Sequence, residues 1–117
     1  MQRKFRLTRS EDFKRVRRSG KSYAHPLVVL IVEMHEKPHT KVGVAAGRTV
    51  GTAVVRNRSK RLLREAMRTL LPHTTSHADL LLIARPALAS ATLEETRQAL
   101  FALLGRAKLL LAPAHEP

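Results

Sequence analysis

Three stretches of the chain carry the residue pattern of β-strands. Residues 27–32 are rich in Val and Ile, and residues 42–46 alternate Val with small residues. A polar turn at residues 36–39 separates these two stretches, so the pattern predicts that they pair as a hairpin. Residues 80–84 are continuously apolar, which is typical of a strand buried on both faces, and Pro86 follows the end of this run.

The segments around these strands have the residue patterns of helices. Ser10 can cap a short helix that runs to about residue 18, with Gly20 at its end. Thr52 is a good N-cap and Pro72 blocks continuation, so the longest helix should cover about residues 53–70. The polar residues 72–78 then form a loop.

A third helix should begin at Thr92, because Thr at the N-cap and Glu95 three positions later form a capping box. Its predicted core stripe consists of Leu93, Leu100, Leu103, Leu104 and Ala107. The order of helices and strands is that of an α+β protein, a two-layer α/β sandwich with three helices on a small mixed sheet. Residues 1–117 are expected to form one domain, with a tail that frays from about residue 112.

The longest predicted helix combines one apolar side with one strongly cationic side. At 100° per residue, Val55, Leu62, Ala66 and Leu70 gather on the side that can be buried. The opposite side collects Asn57, Lys60, Arg61, Arg64 and Arg68. A merely solvated face would mix acids with these bases, yet Glu65 is the only carboxylate between residues 56 and 68. This self-repulsion favours a bound polyanion.

The positive charge of the whole chain is concentrated in two segments. The formal net charge is +13. Residues 1–21 contain nine Lys or Arg against Glu11 and Asp12, and residues 56–68 contain six against Glu65. Charge that served solubility alone would be spread evenly, so this distribution predicts a docking surface for nucleic acid.

Other features of the composition narrow the class of protein. The chain has no Cys, which fits a reducing compartment and excludes a disulfide framework. Its apolar runs are too short to cross a bilayer, and its basic N-terminus lacks the apolar segment of a secretory signal. We therefore expect a cytoplasmic protein with no membrane partner.

Residues that could support catalysis by the protein alone are sparse. Metal-dependent phosphodiester cleavage needs several carboxylates around Mg²⁺, but the only two Asp residues, Asp12 and Asp79, are far apart in sequence. Two His pairs have the four-residue spacing of zinc ligands: His35 with His39, and His73 with His77. Because both pairs fall in predicted loops and no Cys completes a site, we interpret them as solvated loop histidines.

One long segment carries a family resemblance. Residues 42–61 read Val-Gly-Val-Ala-Ala-Gly-Arg-Thr-Val-Gly-Thr-Ala-Val-Val-Arg-Asn-Arg-Ser-Lys-Arg, which resembles the glycine-containing strand and Arg-Asn-Arg helix of the protein subunit of bacterial ribonuclease P. Residues 6–20, 79–85 and 93–96 resemble the first helix, the buried strand and the start of the last helix of that family.

The resemblance implies a fold and a function. The implied fold is a ribosomal-protein-like α/β sandwich with a left-handed crossover through the basic helix, a hand that is otherwise rare. The implied partners are the catalytic ribonuclease P RNA and precursor tRNA, from which the complex removes the 5′ leader, and no obligate protein partner is inferred. In that family the RNA subunit holds the catalytic Mg²⁺, which agrees with the sparse carboxylates.

The resemblance also assigns roles to individual residues. The RNA-binding residues that it implies are Arg48, Arg56, Asn57, Arg58, Lys60, Arg61 and Arg64, and the cationic side of the helix adds Arg68. Phe13 matches an aromatic residue in the groove that holds the single-stranded leader, although a short amphipathic helix could equally place Phe13 in a core. Arg17 and Ile31 stand at groove positions where the family often has aromatic residues, so this groove should rely more on charge.

Two other classes share some of these features. A ribosome-associated protein or RNA chaperone would have the same charge, but it would not prefer precursor over mature tRNA. A DNA-binding module is less well supported, because no dimerisation heptad follows the basic helix.

Overall fold

Residues 2–111 form three α-helices and one four-stranded sheet. The computed structural model describes residues 2–111, so the tail predicted to fray lies outside the described residues. The strands are β1 (Lys21–Ala24), β2 (Val28–Met34), β3 (Thr40–Ala46) and β4 (Ala78–Ala84), and the helices are α1 (Ser10–Ser19), α2 (Ala53–Leu70) and α3 (Leu93–Arg106). Short 3-10 turns lie at Arg3–Phe5, Arg48–Val50, Leu71–His73 and Pro86–Ser90. No helix within residues 2–111 has the length and apolar character needed to cross a membrane.

The sheet has the order β1-β2-β4-β3, with β2 antiparallel to β1 and β4, and β3 parallel to β4. The mixed sheet of the predicted α+β fold is therefore confirmed, but the predicted hairpin between the first two strand segments is wrong. β4 lies between β2 and β3 because its side chains are almost entirely apolar and are buried on both faces of the sheet. β1 was not predicted, since it is short, polar and mostly exposed.

α2 connects β3 to its parallel neighbour β4 and packs with α3 on one face of the sheet. The predicted limits of α2 are confirmed, and the hydroxyl of Thr52 accepts a hydrogen bond from the Val55 N–H at 3.4 Å. The capping box of α3 is also confirmed. The left-handed sense of the crossover, which the resemblance implies, stays a prediction.

The buried seam of α2 differs from the predicted one. Leu63 and Met67 are fully buried, whereas Val55 and Leu62 are only half-buried. α2 contacts both α3 and the sheet, so the buried arc is wider than a single stripe and is centred one position further along the chain.

α1 packs on the opposite face of the sheet, where Val16 is buried against Ile31 and Leu81. Ser10 is the first residue of α1 and not its cap, because Arg9 occupies the N-cap without a side-chain hydrogen bond. Gly20 follows the helix as predicted, and its N–H donates to the carbonyl oxygen of Val16 at 2.8 Å.

Candidate nucleic-acid interface

The exposed side of α2 presents the predicted RNA-binding residues to solvent in different degrees. Asn57, Arg58, Arg61 and Arg68 are exposed, and Lys60 and Arg64 are half-buried. Arg48 is exposed in the 3-10 turn that precedes α2. These seven positions provide a largely cationic surface, which we call the α2 surface.

Two arginines at the start of α2 are oriented differently. Arg56 is half-buried, and its Nε atom is enclosed without a hydrogen-bond partner among the described residues. Arg58 donates a hydrogen bond to the carbonyl oxygen of Ala89 at 3.1 Å, so its guanidinium also ties α2 to the turn before α3. The structure therefore gives Arg58 a structural contact in addition to its predicted role in RNA binding.

The N-terminal segment extends the α2 surface. The Leu7 N–H donates to the carbonyl oxygen of Val42 at 2.8 Å, which holds this segment along β3. Burial lowers the pKa of Arg64, and the nearby Arg6 lowers it further. Arg64 stays charged at neutral pH, because the pKa of an arginine is far above 7. The crowding of Arg6 and Arg64 means that a phosphate between them would relieve repulsion.

Glu65 is the one acidic group between residues 56 and 68, and it pairs with Arg68. Its two carboxylate oxygens accept hydrogen bonds of 2.7 and 3.2 Å from the guanidinium. Hydrogen bonding to Arg68 lowers the pKa of Glu65 and, conversely, raises the pKa of Arg68. Part of the positive potential at the end of the α2 surface is thus neutralised within the protein.

A groove lies between α1 and the open part of the sheet. Val29, Ile83 and Ala45 are neighbours in register on three strands, and each is only half-buried. A cavity of about 430 Å³ on α1 is lined by Ser10, Phe13, Lys14 and Arg17, and Phe13 packs against the same apolar cluster as the three strand residues. We call this region the α1 groove; it has an apolar floor and a cationic wall.

The predicted groove residues have different positions. Phe13 is half-buried and contributes to both the core under α1 and the wall of the groove, so each of its two predicted roles has a structural basis. Arg17 is exposed on the wall. Ile31 is only 5% exposed and packs beneath α1. Ile31 therefore supports α1 and does not line the open groove, which corrects the prediction.

Arg85 follows β4 on the face of the sheet that carries the α1 groove, and it was not predicted as a site residue. Side chains alternate across a strand, so Leu81, Ile83 and Arg85 share one face of the sheet. The backbone of Arg85 is still extended, and its N–H donates to the carbonyl oxygen of Leu27 at 3.0 Å. Its side chain is exposed. The two-residue period along β4, continued one step past the strand, would have revealed this position.

Acidic side chains gather on the other side of α1, which the sequence did not suggest. Arg15 forms ion pairs with Asp12, Glu33 and Asp79, the last at 2.8 Å. Asp79 is 5% exposed and lies in the central strand of the sheet. All three carboxylates contact the same guanidinium, so each of them has a cationic partner inside the protein.

His35 and His39 are half-buried beside Asp79, so the prediction of solvated histidines is wrong for this pair, whereas His73 and His77 are exposed. Ligand atoms of His35, His39 and Asp79 lie within 4.8 Å of one another. However, the Nδ1 atom of His35 accepts a hydrogen bond from the Lys37 N–H at 3.1 Å, which leaves the hydrogen on Nε2, 3.2 Å from Asp79. The contact between His35 and Asp79 accordingly anchors the β2–β3 turn to β4.

Comparisons with known proteins agree with this geometry. The sequence model of the family Ribonuclease P matches residues 1–108. The ribonuclease P protein component of Chloroflexus aurantiacus is 38% identical over 117 residues, covering 99% of this chain and 87% of that protein. The corresponding protein of Lactiplantibacillus plantarum is 35% identical over 111 residues, covering 94% and 97% of the two chains.

Solved structures show the same fold. The RNase P protein of Staphylococcus aureus superposes with a TM-score of 0.79 at 27% identity, covering 91% of this chain and 97% of that one. The RNase P protein of Thermotoga maritima gives a TM-score of 0.77 at 27% identity, covering 86% and 96%. The cationic helix, the fold and the sequence matches together lead to one conclusion: the chain belongs to the bacterial ribonuclease P protein family, the protein component of the endoribonuclease that processes the 5′ ends of tRNAs.

Proposed function

We propose that this chain binds the catalytic ribonuclease P RNA through the α2 surface and holds the single-stranded 5′ leader of precursor tRNA in the α1 groove. The observation that carries the proposal is the placement of these two regions on opposite faces of one sheet. α2 packs on one face and α1 on the other, so two RNA elements can be bound at once.

The two regions suit different kinds of RNA. The α2 surface offers exposed Arg and Lys side chains, which bind backbone phosphates and would give affinity with little sequence preference. The α1 groove combines an aromatic ring with an apolar floor and flanking cations, the arrangement on which unpaired bases stack. A single-stranded leader matches the groove better than a duplex does.

We further propose that the RNA subunit supplies the Mg²⁺ chemistry. The carboxylates Asp12, Glu33 and Asp79 are engaged by Arg15, and this leaves them poorly suited to coordinate a metal. The contribution of the protein is then to bind and orient the leader and to reduce repulsion between the two RNAs. Because both tasks require contact with precursor tRNA, the proposed place of action is the cytoplasm.

The test is 5′ cleavage of a precursor tRNA by a bacterial ribonuclease P RNA at low Mg²⁺. Three mixtures are compared: RNA alone, RNA with this protein, and this protein alone. Cleavage that requires the RNA and is enhanced by the protein supports the proposal. Absence of enhancement with a cognate RNA would favour a general RNA chaperone, and cleavage by the protein alone would contradict the assignment of the chemistry to the RNA.

A further inference from the structure

The ring of Phe13 rests directly on the backbone of β3 at Gly43. A Cβ atom built on Gly43 would lie 2.8 Å from Phe13 Cζ, 3.2 Å from Phe13 Cε1 and 3.1 Å from the Cβ of Leu7. Carbon atoms in ordinary contact are about 3.5–4.0 Å apart. Any residue other than glycine at this position would therefore displace the tip of the Phe13 ring by about 1 Å or turn it.

α1 contacts the sheet closely at its other end as well. A Cβ atom on Gly20 would lie 2.6 Å from Ile31 Cγ2, 2.6 Å from the carbonyl oxygen of Val16 and 2.9 Å from that of Val32. Two glycines thus bring α1 close to the sheet, one under Phe13 and one beyond the helix C-terminus. The contacts differ in kind: Gly20 faces two backbone oxygens in addition to Ile31, whereas Gly43 faces side chains only, and its shortest contact is with the tip of the Phe13 ring.

Because of this difference, we expect a substitution of Gly20 to affect the stability of the protein and a substitution of Gly43 to affect RNA recognition. A methyl group at residue 20 would meet two carbonyl oxygens that are fixed by the helix and by β2, so the whole helix would have to move. At residue 43 the displaced group is chiefly the Phe13 ring, whose other surface lines the α1 groove. The height of that ring above β3 determines how a base can stack against it.

We propose that Gly43 is a positioning residue for leader recognition: by leaving no side chain under Phe13, it sets the ring at the depth at which a base of the leader stacks. Gly43 does not contact the leader itself. The inference rests on the proposed function of the α1 groove and adds a determinant of its selectivity on β3, outside α1.

The experiment measures how strongly the holoenzyme, assembled with each protein variant, prefers precursor tRNA over mature tRNA. The variants are Gly43→Ala, Phe13→Ala and the double substitution. We expect each single substitution to reduce the preference by on the order of tenfold, and the double variant to be no worse than Phe13→Ala alone, since both act through the same ring. Affinity for the ribonuclease P RNA should not change.

A structural readout accompanies the binding data. In the wild-type protein, NMR should show a nuclear Overhauser effect between the Phe13 ring and the Hα atoms of Gly43, and chemical-shift changes in Gly43→Ala should centre on Phe13. If Gly43→Ala is poorly folded, the variant Phe13→Leu/Gly43→Ala is compared with Phe13→Leu. Leu has no Cζ atom, so the added methyl group should then leave the melting temperature nearly unchanged.

The outcomes separate the inference from the function on which it rests. If Phe13→Ala loses the preference but folded Gly43→Ala keeps it, the inference about Gly43 is wrong and the groove assignment stands. If Phe13→Ala keeps the preference, both the stacking role of Phe13 and the inference are overturned. Additive losses in the double variant would also overturn the inference, because they would show that Gly43 acts independently of the ring.

Discussion

Arg15 on α1 donates a hydrogen bond of 2.8 Å to the buried carboxylate of Asp79 in the central strand. The same guanidinium also binds Glu33 and Asp12, so one side chain links the helix to β2 and β4. A buried carboxylate is costly unless it is paired and hydrogen-bonded. The helix that forms one wall of the α1 groove is thus fastened to the sheet by an electrostatic contact on the side away from the groove.

The first prediction concerns this contact. Asp79→Asn keeps the shape of the side chain but removes the charge that Arg15 and His35 face, so it should lower the free energy of unfolding by about 1–3 kcal/mol. Urea denaturation measures the change. Asp12→Asn is the matched control, because its pair with Arg15 is more exposed, and it should cost less than about 1 kcal/mol. Equal effects of the two substitutions would contradict the assignment.

The second prediction tests the α2 surface. Replacing Arg61 and Arg64 with Gln should weaken binding to the ribonuclease P RNA and reduce the slope of log K against log salt by up to about 2, since each phosphate contact releases counterions. Arg106 and Lys108, at the end of α3, provide a control with the same charge change. Arg106 donates to the carbonyl oxygen of Ala24 in β1, the edge strand farthest from β3. A control that lost equal affinity would show that only total charge matters.

The third prediction concerns Glu65, which should weaken RNA binding because it occupies Arg68. Glu65→Gln should raise affinity severalfold, by about the worth of one exposed ion pair. The pKa of Glu65 is depressed in the folded protein, so its interaction with Arg68 is present above the ordinary pKa of a glutamate and is lost as the pH falls through the depressed value. Arg68→Gln should therefore raise the pKa of Glu65 in an NMR titration. An unchanged titration would refute the pairing.

The fourth prediction concerns Arg85, the cation that continues the row of Leu81 and Ile83. Arg85→Gln should weaken the binding of precursor tRNA to the holoenzyme while leaving mature tRNA nearly unaffected, because in the proposed function only the leader contacts this part of the sheet. An equal loss of affinity for both RNAs would show that Arg85 makes a general phosphate contact. Lys108→Gln serves as the control for charge.

Local patterns predicted the parts of the fold that depend on neighbours in sequence. The limits of α2 follow from the Thr52 cap and from Pro72, and the capping box at Thr92 marks the start of α3. The continuous apolar run of residues 80–84 correctly indicated a strand buried on both faces. Each of these signals is an interaction between residues a few positions apart.

Contacts between distant segments were not predictable in this way. β3 pairs with β4 because β4 is the strand that is buried on both faces. The prediction that β3 pairs with β2, its neighbour in sequence, was therefore wrong. Ile31 matches a groove position of the family in sequence, but in the fold α1 covers it. Arg15 forms ion pairs with three carboxylates on three different elements, and no spacing in the sequence predicts these contacts. The resemblance supplied the function of the basic helix but not these long-range contacts.

The position of β4 determines when the sheet can close during synthesis of the chain. β4 is the last strand to leave the ribosome, yet it lies between β2 and β3, which are made earlier. Until residues 78–84 emerge, β1 is the only native partner available to β2, and the edges of β2 and β3 that β4 later covers stay open. The native sheet therefore cannot close before this inner strand is available, which is after the cationic helix has been translated.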